Sequence, residues 1–379
     1  MTEKTADAAT AVLTLRSPAD LLAAIPYLVG FHPCESIVVV ALAGPRMRVT
    51  FTMRSDLPES NDPAEVAERA AYLADVLAVQ HPSHAMLAGY GAGIRVTPMI
   101  DALRTGLDRH GIPLREALRV QDDRYWSYLC DEADCCPAEG IAYDPCASGI
   151  AAHAVFAGCV ALPDRHALVA EVAPVGGGAR RAMRRATLRA EKRLAGLVTR
   201  ELAASTAGEP ARPLIEAGSA AIGAAIDRAL TGELPDDEAT AWLAALLTHL
   251  RVRDEAWVLI DARDDHAYRR ALLALWTHTL RRAEPGYVAG PACLLAYAAW
   301  RDGDGGLANV ALDRARAADP EYSMAGLLEK LLGTGTPPSA WRGLREDDLR
   351  TDDERETRKR ARRRARAVRA GASGREAGR

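Results

Sequence analysis

The chain is short of lysine, of phenylalanine and of long apolar runs. Of its 48 basic residues only four are lysine (Lys4, Lys192, Lys330 and Lys359), and aromatics make up 5% of its 379 residues, three of them phenylalanine. The longest apolar stretches, such as IVVVALA at 37–43, fall far short of the roughly 20 residues that span a bilayer as a helix. The first residues, MTEKTADAAT, have no basic cluster followed by an apolar run. No membrane partner and a cytoplasmic location are therefore expected. Seven cysteines, an odd number in a long chain without an export signal, argue against a disulfide framework.

What is present is ordinary globular material, 49% hydrophobic and 26% charged, in a length that can build two cores. The net charge of −3 hides an asymmetry: residues 351–379 hold 11 Arg or Lys against 5 Asp or Glu, a net of +6, so the rest carries −9. The near-total use of arginine matches GC-rich coding. It weakens functional inference from arginine clusters, because such a genome supplies Arg wherever a basic residue serves.

The first half alternates helix and strand signals. Ser17 and Pro18 open a helix, and SIVVVAL (36–42) and RVTFTMR (48–54) read as a hairpin around Gly44-Pro45. PAEVAERAAYLADVLAVQ is an amphipathic helix with Val66, Ala70, Leu73 and Leu77 on one side, and HAMLAGYG follows as a buried strand. Thr97 and Pro98 are expected to open a further helix ending near Gly111, and REALRVQDDRYWSYLC a strand or hairpin. Short helices at 148–158, capped by Ser148 and stopped at Gly158, and at 163–173 close this half. From about Ala179 the period becomes 3.6 throughout, with helices predicted at 179–204, 212–231, 236–250, 252–261, 264–283, 287–301, 306–318 and 321–332.

The expected fold is thus a mixed-sheet α/β domain with Rossmann-like layers at 15–175, after a disordered N-terminus at 1–14. An all-α domain follows at 176–342, and a basic tail, flexible or helical, at 343–379. Leu295, Ala296, Gly303, Ala308, Leu312, Ala315 and Pro320 fall at tetratricopeptide-like spacing, in one full unit. Trp242, Trp257, Trp276 and Trp300 read as core filler.

Three segments, DLLAAIPYLVGFHPCESIVVVAL, RYWSYLC with CCPAEG after it, and AWRDGDGGLANVALDRARAADPEYSMAGLLEKLL, resemble the actinobacterial domain-of-unknown-function 4192 family over about residues 15–342. The resemblance implies no activity. It agrees with an actinobacterial, cytoplasmic protein.

Three of the seven cysteines lie in CDEADCC (130–136). With Cys146 they supply four thiols, and His153 lies nearby, so zinc is the leading functional reading. The four-residue gap from Cys130 to Cys135 and the adjacency of Cys135 and Cys136 depart from the usual pairs two to four residues apart. A reducing cytosol disfavours a standing disulfide, and Asp131, Glu132 and Asp134 oppose a reactive thiolate. The bland alternative, small buried hydrophobes at a strand end shaped by Pro137 and Gly140, is preferred.

GFHPCES (30–36) sets His32, Cys34 and Glu35 side by side. The loop precedes its strand, whereas ligands of open α/β sheets gather at carboxyl ends, so His32 is expected to anchor the loop. Gly89, Gly91 and Gly93 of GYGAG do follow a strand and precede a helix, as a ligand loop would, but the third glycine falls one position early for a dinucleotide fingerprint. Arg181, Arg185, Arg189 and Lys192 share a helical face opposite Met183, Ala190, Leu194 and Leu197, the pattern of a solvated amphipathic helix. RKRARRRARAVR (358–369) has eight basic residues and no aromatics, which suits nonspecific phosphate contact and not sequence reading.

Function is expected to be noncatalytic interaction or regulation, with a protein partner on the helical domain. One alternative is a hydrolase- or transferase-class enzyme at the strand ends, with His32 and Arg124 as catalytic candidates. The other is nonspecific nucleic-acid association through residues 351–379. Cofactors are not specified beyond zinc.

Overall fold

A computed structural model describes residues 17–349 except 46, 146–148, 157–159, 208–211 and 346. The described chain divides into two compact units, 17–173 with 299–341, and 174–298 with 342–349.

In the first unit the elements run α1 (Pro18–Val29), β1 (Ser36–Ala43), β2 (Arg48–Asp56), α2 (Pro63–Ala78), β3 (His84–Tyr90), α3 (Gly93–Arg109), β4 (Leu114–Gln121), β5 (Arg124–Ser127), β6 (Ile141–Ala142), α4 (Gly149–Phe156) and α5 (Arg165–Glu171). The six strands form one mixed sheet in the order β2-β1-β3-β4-β5-β6. Only β3 and β4 are parallel, and α3 makes the crossover between them. Every other neighbouring pair is antiparallel.

The period-2 alternation of the strands sorts the core into two layers. On one face Val38, Val40, Leu42, Ala88 and Leu118 pack with Leu21, Leu22 and Ile25 of α1. On the other Ile37, Val39, Ala41 and Leu87 pack with Val66, Ala70, Leu73 and Leu77 of α2 and Met99, Ile100, Leu103 and Leu107 of α3. Covered on both faces, β1 can be an unbroken apolar run. Ser17 caps α1 by accepting from the Asp20 amide, and Gly30, at φ 91°, ends it.

Helix α3 begins at Gly93, four residues before the expected start at Thr97. Proline was read as a helix opener, but Pro98 sits inside the helix, where its missing N–H leaves the Ile94 carbonyl without an intrahelical donor. Asn61 Nδ2 donates to that carbonyl at 3.1 Å. A long-range partner therefore replaces the local bond, which a periodicity reading cannot detect.

The second unit holds α6 (Gly177–Ala207), α7 (Pro213–Leu230), α8 (Asp237–Leu246), α9 (Leu250–Ile260), α10 (His266–Arg282) and most of α11 (Ala289–Arg301). Trp242, Trp257 and Trp276 are buried in it, as is Trp300 in the first unit, in keeping with their reading as core filler. Met183, Ala190 and Leu197 form the buried side of α6. The division between units falls inside α11, after Ala298, so Leu295 and Ala296 of the repeat-like signature lie in the second unit. Helices α12 (Gly305–Ala318) and α13 (Ser323–Gly333) belong to the first unit, with the sheet; of the rest of the signature Ala308, Leu312 and Ala315 lie on α12, Gly303 just before it and Pro320 between the two helices. There α12 packs on α13 and α5, burying Ala308, Leu312 and Ala315. Sequence contiguity had grouped these helices with the helical domain, but helical period does not say which core a helix covers.

Candidate metal centre

Strand β5 builds the site. Its register with β4 sets Trp126 opposite Arg119 and Tyr125 opposite Val120. Tyr125 packs on the α1 face of the sheet, so Trp126 points to the other. The Arg119 guanidinium lies over the Trp126 ring, 3.7 Å from its centre. The chain then leaves β5, makes a loop, and returns as β6, which pairs with Arg124 and Tyr125. Two side chains hold the return. Trp126 Nε1 donates to the Ala138 carbonyl at 3.0 Å, and the Arg124 guanidinium to the Gly140 carbonyl at 2.7 Å.

Within the loop, the Glu132 carbonyl accepts from the amides of Cys135 and Cys136 at 3.2 and 2.7 Å, closing one helical turn. That turn folds the vicinal pair back over Cys130. Cys130 Sγ and Cys135 Sγ are 2.9 Å apart, and Cys135 Sγ and Cys136 Sγ 3.7 Å. All three sulfurs lie within 4.8 Å of one another, the one group of three or more His, Cys, Asp or Glu side chains among the described residues close enough to share a metal ion. Cys146, the fourth sequence candidate, lies outside the described residues.

These cysteines are not buried: Cys135 is exposed, and Cys130 and Cys136 are half-buried. The expectation of small buried hydrophobes is corrected on that point, because the loop's acidic residues Asp131, Glu132 and Asp134 stay exposed and keep the thiols beside them at the surface. Thiol donation from Cys135 and Cys136, with the backbone amide of Glu132, holds the Cys130 thiol below its ordinary range. Its role as donor to Cys130 pushes Cys136 up to about 12.

The other sequence candidates lie before β1 and where β3 gives way to α3. Because β1 is antiparallel to β3, Ser36 stands opposite Tyr90, and the loop that precedes β1 lies at the same sheet edge as the carboxyl end of β3. The positional argument against GFHPCES therefore fails. What the edge holds is an internal ion pair: Arg95 Nη1 binds the Glu35 carboxylate at 2.5 Å and Arg95 Nη2 the Pro58 carbonyl at 2.6 Å. A Cβ on Gly91, at φ 137°, would stand 2.8 Å from Glu35 Oε1. One on Gly93 would stand 2.6 Å from Arg119 Nη1, and one on Gly89 would overlap Val96. Gly89 thus has a packing reason to be glycine and Gly91 a backbone one, whereas the neighbour of Gly93 is the movable end of Arg119. His32 does anchor its loop, but through its main chain: its amide donates to Leu162 O at 2.9 Å while the side chain is exposed.

Arg119 and Arg95 were missed by sequence reading. Arg119 had a signal, as a charge between Leu118 and Val120, which pack on the α1 face of the sheet. Arg95 had none, since its partners come from loops far away in sequence.

Fold and site define a mixed-sheet α/β protein with a helical second unit and a three-thiol loop beside the sheet's last strand. The chain belongs to the family described as Domain of unknown function (DUF4192), which it matches over residues 18–339. No curated protein and no solved structure matches it. No helix among the described residues is long and apolar enough to cross a membrane.

Proposed function

We propose that the protein is a noncatalytic interaction protein that receives a partner helix in a groove of its second unit. The observation that carries this is a cavity of about 590 Å³ between α6, α7 and α8. Ala217, Ala220, Ala221 and Ala224 of α7 line it, and Trp242 of α8 lines it beneath the Arg193 guanidinium, 3.9 Å from the ring centre. Small side chains along one helix let a second helix approach closely, and an apolar groove of this kind suits an amphipathic helix. Support also comes from the side chains named for catalysis. Arg124 is spent on the Gly140 carbonyl, at 2.7 Å, and the His32 side chain is exposed.

 

The test is capture from a lysate of the native host with the full-length protein and with Ala221→Trp, which fills the groove. A partner held by the wild type and lost by a folded Ala221→Trp variant is the expected result; the same proteins on both would remove the reading. Residues 351–379 lie outside the described residues, so the nucleic-acid alternative rests on composition alone.

A further inference from the structure

We propose that Cys130, Cys135 and Cys136 bind a zinc ion as three thiolate ligands. Zinc takes thiolates at about 2.3 Å in tetrahedral geometry, which sets the sulfurs about 3.8 Å apart. Cys135 and Cys136 are already 3.7 Å apart, and all three sulfurs fall within 4.8 Å. The 2.9 Å between Cys130 and Cys135 needs only a small opening of an exposed loop. One tetrahedral position is left for a fourth ligand.

The surroundings suit a cation better than the alternatives. Three sulfurs crowded at an exposed corner gain little from hydrophobic burial, and three thiolates that close repel one another unless a cation lies between them. Asp131, Glu132 and Asp134, all exposed around the thiols, add negative potential, which draws a cation and opposes a nucleophilic thiolate. Soft thiolates favour zinc over magnesium or calcium. The Glu132 carbonyl accepts from the Cys135 and Cys136 amides at 3.2 and 2.7 Å, so the backbone turn sets two of the ligand residues before any ion arrives. Trp126 and Arg124 hold the two carbonyls on the return side, which fixes the loop at the strand from which it left. Binding forms three Zn–S bonds and releases the thiol protons to solvent. The ion would tie the loop's beginning to its turn, a stabilising role separate from the groove of the second unit.

The experiment uses the full-length chain, reduced and then reconstituted with zinc, with metal counted by native mass spectrometry. One zinc per chain is expected in the wild type and in Cys34→Ser, whose thiol lies on a different loop. Cys130→Ser and Cys136→Ser should weaken binding by about 100-fold or more in chelator competition, beyond the cost of outer-shell changes. Cobalt in place of zinc gives a readout that needs no variant, because thiolate-to-cobalt charge transfer in the near ultraviolet reports sulfur ligation. A reduced wild-type chain that takes up no zinc would overturn the proposal. So would a cobalt complex without the thiolate band, or a metal-free protein lighter by two hydrogens because Cys130 and Cys135 had formed a disulfide.

Discussion

Gly140 lies against the Trp126 indole so closely that a Cβ on it would stand 2.5 Å from the ring. The same glycine has φ 80°, in the left-handed region that side chains disfavour. Gly140→Ala therefore meets two obstacles at once, and the expected cost is about 1–3 kcal/mol in chemical denaturation. With the indole displaced from the Ala138 carbonyl, the loop should also loosen, so alkylation of Cys135 should be faster than in the wild type. Unchanged stability and unchanged labelling would show that the indole does not hold the loop.

Asn61 and Pro98 should be energetically coupled through the Ile94 carbonyl. Removing the side chain in Asn61→Ala leaves that carbonyl without its donor, at a cost of about 0.5–1.5 kcal/mol. In a Pro98→Ala background the helix regains its own N–H donor, and the Asn61→Ala change should cost less. A double-mutant cycle by urea unfolding measures the difference; equal costs in the two backgrounds would mean that Asn61 does no such service.

At Gly89 the conflict is steric alone. A methyl there overlaps Val96 Cγ1 in the packed layer between β3 and α3, so Gly89→Ala should lose about 1–3 kcal/mol through overpacking. Adding Val96→Ala makes room, and the double variant should melt at a higher temperature than Gly89→Ala alone. If Gly89 serves a ligand instead, the second substitution will recover nothing.

His278 gives the helical unit a pH dependence. Burial and the charge of Arg282 hold its imidazole below the ordinary value of 6.5. Its Nε2 faces the Pro235 carbonyl at 2.9 Å and Thr240 Oγ1 at 3.3 Å, and Nδ1 accepts from Arg282 Nη1 at 3.1 Å, an arrangement for the neutral ring. The unfolded chain binds the proton at a higher pH than the folded one, so this group's stabilising share is whole above about pH 6.5 and falls away as the pH drops through the folded value. His278→Gln should flatten the loss of stability between about pH 7.5 and about pH 5.5, read by thermal melts across that range.

The cysteine loop shows where sequence reading stops. Spacing rules treat Cys135 and Cys136 as pointing apart, and on an extended strand they would. One helical turn around the Glu132 carbonyl instead brings both sulfurs towards Cys130, and the loop's return after that turn is held by bonds from Trp126 and Arg124, which no spacing rule includes. Likewise GFHPCES and GYGAG are each visible as motifs, but their shared edge follows from the antiparallel pairing of β1 with β3.

By itself the sequence determined the elements: the helix of Ser17 and Pro18, the β1–β2 hairpin, and the long succession of helices after Ala179, because caps, turns and apolar period act over a few residues. Tertiary structure alone decided strand order, the placing of α12 and α13 with the sheet, the Asn61 rescue of a proline-broken bond, and the meeting of three thiols. Each of these depends on contacts between residues distant along the chain, or on the path of a loop pinned by side chains from the sheet, and local pattern carries no record of either.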